Sequence, residues 1–439
     1  MNPKGKVYFK NQLSGVIEKN EDGSFLFSYE SHSPSVSLTL PTSKTHYQSE
    51  ELFPFFDGLI PEGWLLNLVQ KNWKIPKNDR MALLLTTCQD CIGATHVLGE
   101  QDNTTLSKSH AKTSLNHREA HTFTSDRCLV CMEALNSSEQ LYHSKCAKNL
   151  FGFSHAPIID VVSEDLEELA LRQINQRLTL TGVQRKLSLS PIIENKKERL
   201  TVVGVDGRFI LKPASEDYPE MAEVEHLSMK IAELQNITVA DCGLVYLASG
   251  ERAYITRRFD RANNEKIQVE DFCQLAEKPT ERKYSGSSES LAKIIEKYSD
   301  QAPDDKLTLF QIILFSFWIG NSDMHLKNFS LWRDPQSGLI RMSPGYDFLS
   351  TRLLITAKED NEELALPVNG KKNKLRWSDF VALASNFKIP PKVFMRIRDQ
   401  MLDSFFDAED LVEKSFLSYQ KKEKFMDLLR ERSERLAQK

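Results

Sequence analysis

Short apolar runs of strand length dominate the N-terminal part of the chain. They predict strands at residues 7–9, 15–17, 25–29 and 36–40, and turn-forming residues such as those at 20–23 separate them. Helical spacing of apolar positions follows from Gly63 and again from Asp79. The pattern therefore predicts a small α+β domain over residues 1–102.

In the rest of the chain a strand-rich stretch precedes a helix-rich one. Apolar runs predict strands at residues 178–180, 186–189, 200–205, 209–211, 245–247 and 253–257. Helical spacing predicts helices over residues 165–176, 219–234, 272–275, 290–298, 309–319, 377–385, 390–405 and 418–436. A mixed lobe followed by a helical lobe is the order of a two-lobed, kinase-like α+β fold, here over residues 153–260 and 261–439.

The composition indicates the general class of protein but not its activity. The 439 residues carry a net charge of −4, which does not favour non-specific nucleic-acid binding. The start of the chain lacks a secretion pattern, and the apolar run at 312–319 is too short to cross a membrane. Seven cysteines, four of them in two C-x2-C pairs, do not resemble a disulfide framework, so a cytoplasmic location is expected.

Residues 103–127 are rich in Ser, Thr, Asn and Lys and predict a flexible linker.

The strongest chemical signal lies directly after the predicted buried helix at 309–319. Asp323 and Asn328 stand at D-x4-N spacing, and Asp347 follows on a later turn. Phosphoryl transfer needs a carboxylate that accepts the proton of the substrate hydroxyl, and an Asn and a second carboxylate that hold Mg²⁺ against the ATP phosphates. A D-x4-N pair alone is typical of a polar turn, but the buried helix before it and the Asp after it favour a kinase centre. We therefore predict Asp323 as the catalytic base, with Asn328 and Asp347 as the Mg²⁺ ligands.

The strand-rich lobe offers residues that suit the nucleotide. Lys212 ends a predicted strand and is expected to neutralise phosphate charge, paired with Glu223 or Glu225 on the next helix. A Gly-rich loop of the usual G-x-G-x-x-G form is missing from the expected place. The segment that stands there is predicted to hold the phosphates, and a strand end between the lobes is predicted to meet the adenine; these ATP-binding candidates are Gly182, Val183, Gln184, Lys186, Arg258 and Phe259.

A compact cysteine and histidine segment occupies residues 128–152. Its C-x2-C and H-x2-C pairs bring three thiols and one imidazole together, the ligand set of a tetrahedral, structural zinc site, at Cys128, Cys131, His143 and Cys146. The alternative is a set of reduced structural thiols. Cys88 and Cys91 have no second pair nearby, so buried thiols are expected there.

Several motifs together resemble the HipA family of toxin kinases. They are residues 181–186 (TGVQRK), 259–261 (FDR), 270–274 (EDFCQ), 320–328 (GNSDMHLKN) and 346–350 (YDFLS). The N-terminal domain likewise resembles the HipA N-terminal domain, through residues 56–63 (FDGLIPEG) and 90–94 (DCIGA). The resemblance covers nearly the whole chain except the linker, and some HipA-like proteins carry a zinc knuckle before the kinase lobe.

The resemblance implies a serine/threonine protein kinase that acts as the toxin of a toxin–antitoxin pair. Family members phosphorylate translation components such as aminoacyl-tRNA synthetases, and their antitoxins are helix-turn-helix proteins of the HipB type, through which they reach operator DNA. They also phosphorylate a hydroxyl residue just before the Gly of the phosphate loop. Thr179 and Thr181 stand there in this chain, where Ser is usual.

Two other functions fit parts of the sequence. A small-molecule or lipid kinase also uses a D-x4-N pair with a later Asp, and the identity of its hydroxyl substrate would distinguish it. A catalytically weak scaffold that binds an antitoxin and DNA would belong to another class. The presence of Lys212, Asp323, Asn328 and Asp347 argues against that scaffold.

Overall fold

The structure is a computed structural model, and it describes most of the chain. The described residues are 2–99, 123–136, 141–159, 161–175, 180, 183–194, 197–202, 207–262 and 265–438. Most of the predicted linker and most of the strand predicted at 178–180 lie outside these ranges. Thr179, Thr181 and Gly182 also lie outside them.

The N-terminal domain is built on an antiparallel sheet with helices packed on one face. Its elements are β1 (Lys4–Phe9), β2 (Gln12–Lys19), β3 (Phe25–Tyr29), β4 (His46–Ser49), α1 (Pro54–Asp57), α2 (Gly63–Trp73), α3 (Arg80–Thr87) and β5 (Thr95–Gly99). The strand order is β4-β3-β2-β1-β5. Alternate side chains of a strand point to the same face, and Val7, Ile17 and Phe27 are fully buried there. Three of the predicted strands and both predicted helices are confirmed.

The strand predicted at residues 36–40 is wrong. That segment is a loop with a single bridge between Ser37 and Leu40. Its polar groups bond to the second half of the chain instead of a neighbouring strand: Ser37 Oγ and Leu38 N donate to the Glu270 carboxylate at 2.6 and 2.9 Å. A tertiary contact therefore replaces the strand ladder that the apolar run predicts.

The lobe that follows has a larger sheet flanked by helices. Its elements are α4 (Ser144–Phe151), β6 (Ile158–Ile159), α5 (Leu166–Asn175), β7 (Leu187–Glu194), β8 (Lys197–Val202), β9 (Phe209–Lys212), α6 (Met221–Leu234), β10 (Cys242–Tyr246) and β11 (Arg252–Arg257). The order is β10-β11-β9-β7-β8-β6, with only the β6–β8 pair parallel among the described strands. Helix α6 packs on β10 and β11 and thereby faces the end of β9.

The C-terminal lobe is mainly helical and contains two small sheets among its described residues. Its strands are β12 (Arg261–Ala262), β13 (Glu265–Lys266), β14 (Val269–Asp271), β15 (Ser330–Arg333) and β16 (Ile340–Met342). The two sheets are β12-β13 and β14-β15-β16. Its helices are α7 (Phe272–Leu275), α8 (Ser288–Tyr298), α9 (Ala302–Trp318), α10 (Trp377–Asn386), α11 (Pro391–Asp403), α12 (Phe405–Lys414) and α13 (Tyr419–Ala437). The strands β12–β16 and helix α12 were not predicted.

Helix α9 is the centre of this lobe, as its apolar run predicts. Phe310, Phe315, Phe317 and Trp318 are fully buried, and the Trp318 indole N–H donates to Ser433 on α13 at 2.8 Å. A polar partner for the one N–H of a buried indole is what such a core requires. Across the described ranges, helices long and apolar enough to cross a lipid bilayer are missing.

Candidate active site

An antiparallel hairpin brings the two halves of the predicted kinase centre together. Strand β15 begins just after Asn328, and β16 ends shortly before Asp347, with Leu331 opposite Met342 in the ladder. Because the strands run in opposite directions, the start of one and the end of the other lie at the same end of the hairpin. The hairpin therefore places Asp347 beside the Asp323–Asn328 loop.

The loop itself is held by its own side chains. The Asn328 side-chain N–H donates to the backbone carbonyl of Asp323 at 2.9 Å, which closes the D-x4-N segment. Asn321 is fully buried, and its Oδ1 accepts the backbone N–H of Asp323 at 3.0 Å. The Asp323 carboxylate remains exposed at the surface of the loop. The loop thus presents a carboxylate to solvent from a fixed backbone.

Lys212 joins the two lobes at the end of β9. Its Nζ donates to Glu225 Oε1 and to Asp347 Oδ1, each at 2.5 Å. Burial works against a charge on this buried ammonium, but the carboxylates of Asp347 and Glu225 outweigh it and raise the pKa of Lys212. Lys212 is therefore cationic where the two carboxylates meet.

Asp347 combines an unusual backbone with a strong positive field. Its φ of +56° lies in the left-handed region. Residues other than Gly rarely adopt this backbone conformation, and those that do cluster at functional sites. Burial opposes ionisation, yet Lys212 and then Lys186 lower the pKa of Asp347 to about 2. Burial in turn lowers the pKa of Lys186 to about 8, against the attraction of Asp347. Two lysines and two carboxylates thus share one cluster, in which Lys186, Lys212 and Glu225 are buried and the Asp347 side chain is 38% exposed.

The structure settles which glutamate on α6 faces Lys212. Glu225 makes the ion pair, whereas Glu223 bonds to Arg252 Nε at 2.7 Å. Residues two apart on a helix point to different sides, so only one of them can reach β9.

We expect Glu225→Gln to slow phosphoryl transfer at low ATP concentration by roughly 10- to 100-fold, equivalent to about 1.4–2.7 kcal/mol. The reason is that the variant leaves Lys212 with one carboxylate fewer to position it. Initial rates against ATP concentration would measure this. Glu223→Gln is the matched control, since it removes a buried carboxylate from the same helix; an equal loss in both variants would contradict the assignment.

Of the predicted phosphate segment, the structure describes Val183, Gln184 and Lys186. Lys186 joins the charge cluster, and Gln184 Nε2 lies 3.6 Å from Met221 Sδ at the start of α6. Val183 is 61% exposed, and its carbonyl accepts the backbone N–H of Trp64 from the N-terminal domain at 3.3 Å. A Cβ on Gly63 would lie 2.5 Å from Val183 Cα, so this close approach requires glycine.

Among the described contacts, Arg258 and Phe259 have partners other than Lys186, Lys212 and Glu225. The buried guanidinium of Arg258 bonds to Asp260 at 2.9 and 2.7 Å and to the Cys91 carbonyl at 3.3 Å. It therefore joins the lobe to the N-terminal domain. The Phe259 ring packs against Tyr346, the neighbour of Asp347, with ring centroids 5.6 Å apart.

Three contacts near the catalytic loop were not predicted from the sequence. Glu62 of the N-terminal domain pairs with Lys283 at 3.1 Å and with Lys327 of the loop at 3.5 Å. Tyr284 donates its phenol O–H to Asp323 Oδ1 at 2.6 Å. All three contacts join segments far apart in the chain, so spacing does not reveal them. The Pro-Glu-Gly motif around Glu62 was the only available signal.

The four predicted zinc ligands converge on one point. The ligand atoms of Cys128, Cys131, His143 and Cys146 all lie within 4.8 Å of one another. His143 Nδ1 faces the thiols, 3.3 Å from Cys131 Sγ, while Nε2 lies 3.1 Å from the Ala134 carbonyl. An outer carbonyl partner of this kind orients a metal-binding histidine. Cys88 and Cys91 are buried apart from this cluster, as expected.

This cysteine segment packs on the strand-rich lobe. Leu244 N of β10 donates to the Leu129 carbonyl at 2.8 Å, and Tyr142 donates to the Leu244 carbonyl at 2.9 Å. The neighbour of Glu225, His226, bonds through Nε2 to the Val130 carbonyl at 2.9 Å. The C-x2-C loop is therefore attached to the helix that carries the Lys212 partner.

Comparison with known families decides the relationship of this chain. Residues 178–408 match the HipA-like C-terminal domain, and residues 5–98 match the HipA N-terminal domain. The chain belongs to the HipA family. The HipA C-terminal match contains every residue of the charge cluster and of the catalytic loop.

Two curated relatives of this HipA-family chain are named as putative kinases. A Haemophilus influenzae protein named "Putative kinase" is 28% identical over 271 residues, which span 56% of this chain and 78% of the relative. A Sinorhizobium fredii protein named "Putative kinase Y4mE" is 27% identical over 361 residues, 79% of this chain and 76% of the relative.

A solved structure confirms the α+β, two-lobed fold. It is a chain of the Shewanella oneidensis toxin–antitoxin complex of HipA, HipB and operator DNA. The TM-score is 0.70 at 17% identity, over 98% of this chain and 97% of that one. At this level of identity the likeness establishes the fold.

Proposed function

We propose that this HipA-family chain is a serine/threonine protein kinase that transfers the γ-phosphate of ATP. The observation that carries the proposal is that the buried Lys212 bonds both Glu225 and Asp347, beside the closed Asp323–Asn328 loop. A Lys–Glu pair between strand and helix, a metal-binding Asp and a catalytic Asp are the parts that phosphoryl transfer uses.

The residues present fit ATP and Mg²⁺. Asn328 donates through its Nδ2, so its amide oxygen is the atom that it offers to a cation, and Asp347 adds a carboxylate. When bound, Mg²⁺ neutralises charge on the phosphates. Lys212 and Lys186 supply the protein's own positive charge, and Asp323 accepts the proton of the acceptor hydroxyl.

The toxin role, the partner and the substrate are part of the proposal. The family and the composition of the Shewanella oneidensis complex support a HipB-like helix-turn-helix antitoxin as the partner, with operator DNA reached only through it. The substrate that we propose is a translation component such as an aminoacyl-tRNA synthetase.

Labelled ATP added to the purified protein, Mg²⁺ and a cell lysate would test this function. We expect labelled phosphate on serine or threonine of lysate proteins. Label confined to lipids or small molecules would favour the other kinase class. A protein that neither binds ATP nor transfers phosphate would favour the scaffold function.

We also propose that Thr179 or Thr181 is phosphorylated by the chain itself. Either phosphate would add roughly 1.5–2 negative charges beside the loop that meets the nucleotide. We expect the Thr179→Ala, Thr181→Ala double variant to lose the phosphate mapped to this segment and to retain ATP binding for longer during incubation. Site-resolved mass spectrometry measures the first, and nucleotide titration the second. The Asp323→Asn variant keeps both threonines. If it carried as much phosphate in this segment as wild type, self-modification would be contradicted.

We propose a structural Zn²⁺ at Cys128, Cys131, His143 and Cys146. Three sulfurs and one imidazole nitrogen within 4.8 Å match the donor set of a closed tetrahedral site. All four positions of such a site are filled by protein, so it has no open position for a substrate.

A further inference from the structure

A tyrosine from outside the catalytic loop occupies the place where a substrate hydroxyl would lie. The Tyr284 phenol donates to Asp323 Oδ1 at 2.6 Å, although the two residues are 39 positions apart. A general base acts on a hydroxyl at about 2.6–3.2 Å. The distance is therefore that of an acceptor hydroxyl on its base.

The contact is built into the site from two sides. The Tyr284 ring meets the His325 ring edge-on, with centroids 4.9 Å apart, and His325 belongs to the same loop as Asp323. The preceding turn is held by Thr280 N, which donates to Asp57 of the N-terminal domain at 2.8 Å. Burial and the nearby Asp323 carboxylate raise the pKa of Tyr284, so the phenol keeps its proton and donates it.

We propose that Tyr284 is an acceptor of the kinase itself, modified by ATP bound to the same chain. A bond forms between the Tyr284 phenol oxygen and the γ-phosphorus, and the bond from that phosphorus to the β–γ bridging oxygen breaks. The phenol proton passes to Asp323, and ADP leaves with the electron pair. The proposal rests on the proposed kinase function and adds, within the same chain, a tyrosine acceptor to the serine and threonine acceptors of that function.

Modification would also change access to Asp323. A phosphotyrosine carries about −1.5 to −2 charges and is repelled by an adjacent carboxylate. Because Tyr284 is 46% exposed, its side chain can turn towards solvent without opening the core. Asp323 would then be free to meet the hydroxyl of a protein substrate.

The chain contains a matched control for this contact. Tyr419 is 73% exposed, and its phenol donates to Glu423 at 2.6 Å, the same distance and the same type of partner. It lies on α13, outside the proposed site. Reactivity that depended only on exposure and a carboxylate partner would modify both tyrosines.

Full-length protein incubated with ATP and Mg²⁺ at two concentrations about twentyfold apart would test the proposal by site-resolved mass spectrometry. We expect phosphate on Tyr284 and none on Tyr419, with a fractional rate independent of protein concentration. Asp323→Asn should abolish it. Tyr284→Phe, which keeps the ring against His325, should remove this phosphopeptide.

Two results would overturn the assignment while leaving the kinase function intact. One is phosphate transfer to other residues with Tyr284 unmodified. The other is a Tyr284 rate that rises with protein concentration, which would show transfer between chains. A wild-type protein that neither binds nor consumes ATP would overturn the kinase function itself, and the tyrosine assignment with it.

Discussion

Asp323→Asn is expected to lower the rate of phosphate transfer by roughly 10²–10⁴-fold while ATP still binds. The substitution keeps the size of the side chain and the backbone bonds that hold the loop, including the Asn328 bond to the Asp323 carbonyl. It removes only the carboxylate that would accept the acceptor proton. Lys212, Glu225 and Asp347 are untouched, so nucleotide affinity should change little.

Phosphate transfer and ATP titration on the same preparations would separate these two effects. Asp399→Asn on α11 is the control, because it neutralises an exposed aspartate that pairs only with its neighbour Arg398 among the described contacts. Transfer by Asp323→Asn at the wild-type rate would exclude Asp323 as the base. Loss of ATP binding in that variant would instead show a role in holding the nucleotide.

Cys128→Ser is expected to abolish zinc binding and to destabilise the strand-rich lobe. Cys128 is fully buried, and its C-x2-C loop bonds to β10 and to α6. Loss of a structural metal is among the few single changes with a large cost. A cost of about 3 kcal/mol lowers the melting temperature by roughly 6–12 °C in a domain of ordinary size.

Metal content by mass spectrometry and thermal unfolding would measure both effects. Cys88→Ser is the matched control, since Cys88 is also buried and also begins a C-x2-C pair, but lies in the N-terminal domain. We expect that variant to keep its zinc. Wild-type protein without zinc, or Cys128→Ser with unchanged zinc, would refute the site.

The position of the cysteine segment also links the zinc site to the affinity for ATP. His226, bonded to the Val130 carbonyl, adjoins Glu225, the partner of Lys212. A loosened C-x2-C loop therefore removes one support of α6. We expect Cys128→Ser to bind ATP more weakly than wild type even below its melting temperature.

Local sequence was sufficient for much of the fold. The buried helix at 309–319, the strands that became β9 and β11, and helix α6 follow from runs and spacing of apolar residues, because these elements lie in the core. The segment at 36–40 has a strand-like pattern but bonds to Glu270, a residue far along the chain. The residues around 36–40 give no indication that Glu270 is their hydrogen-bond partner.

The sequence by itself determined the family and the residue types of the candidate site, because D-x4-N spacing, the later Asp and the paired Cys and His are all local patterns. Only the tertiary structure decided which groups meet. In the structure Glu225, and not Glu223, pairs with Lys212, and Asp347 pairs with the same lysine. Glu62 and Tyr284 contact the catalytic loop. The physical reason is that ion pairs and hydrogen bonds depend on distances of a few ångströms in space, which helix facing and strand pairing set and separation along the chain does not.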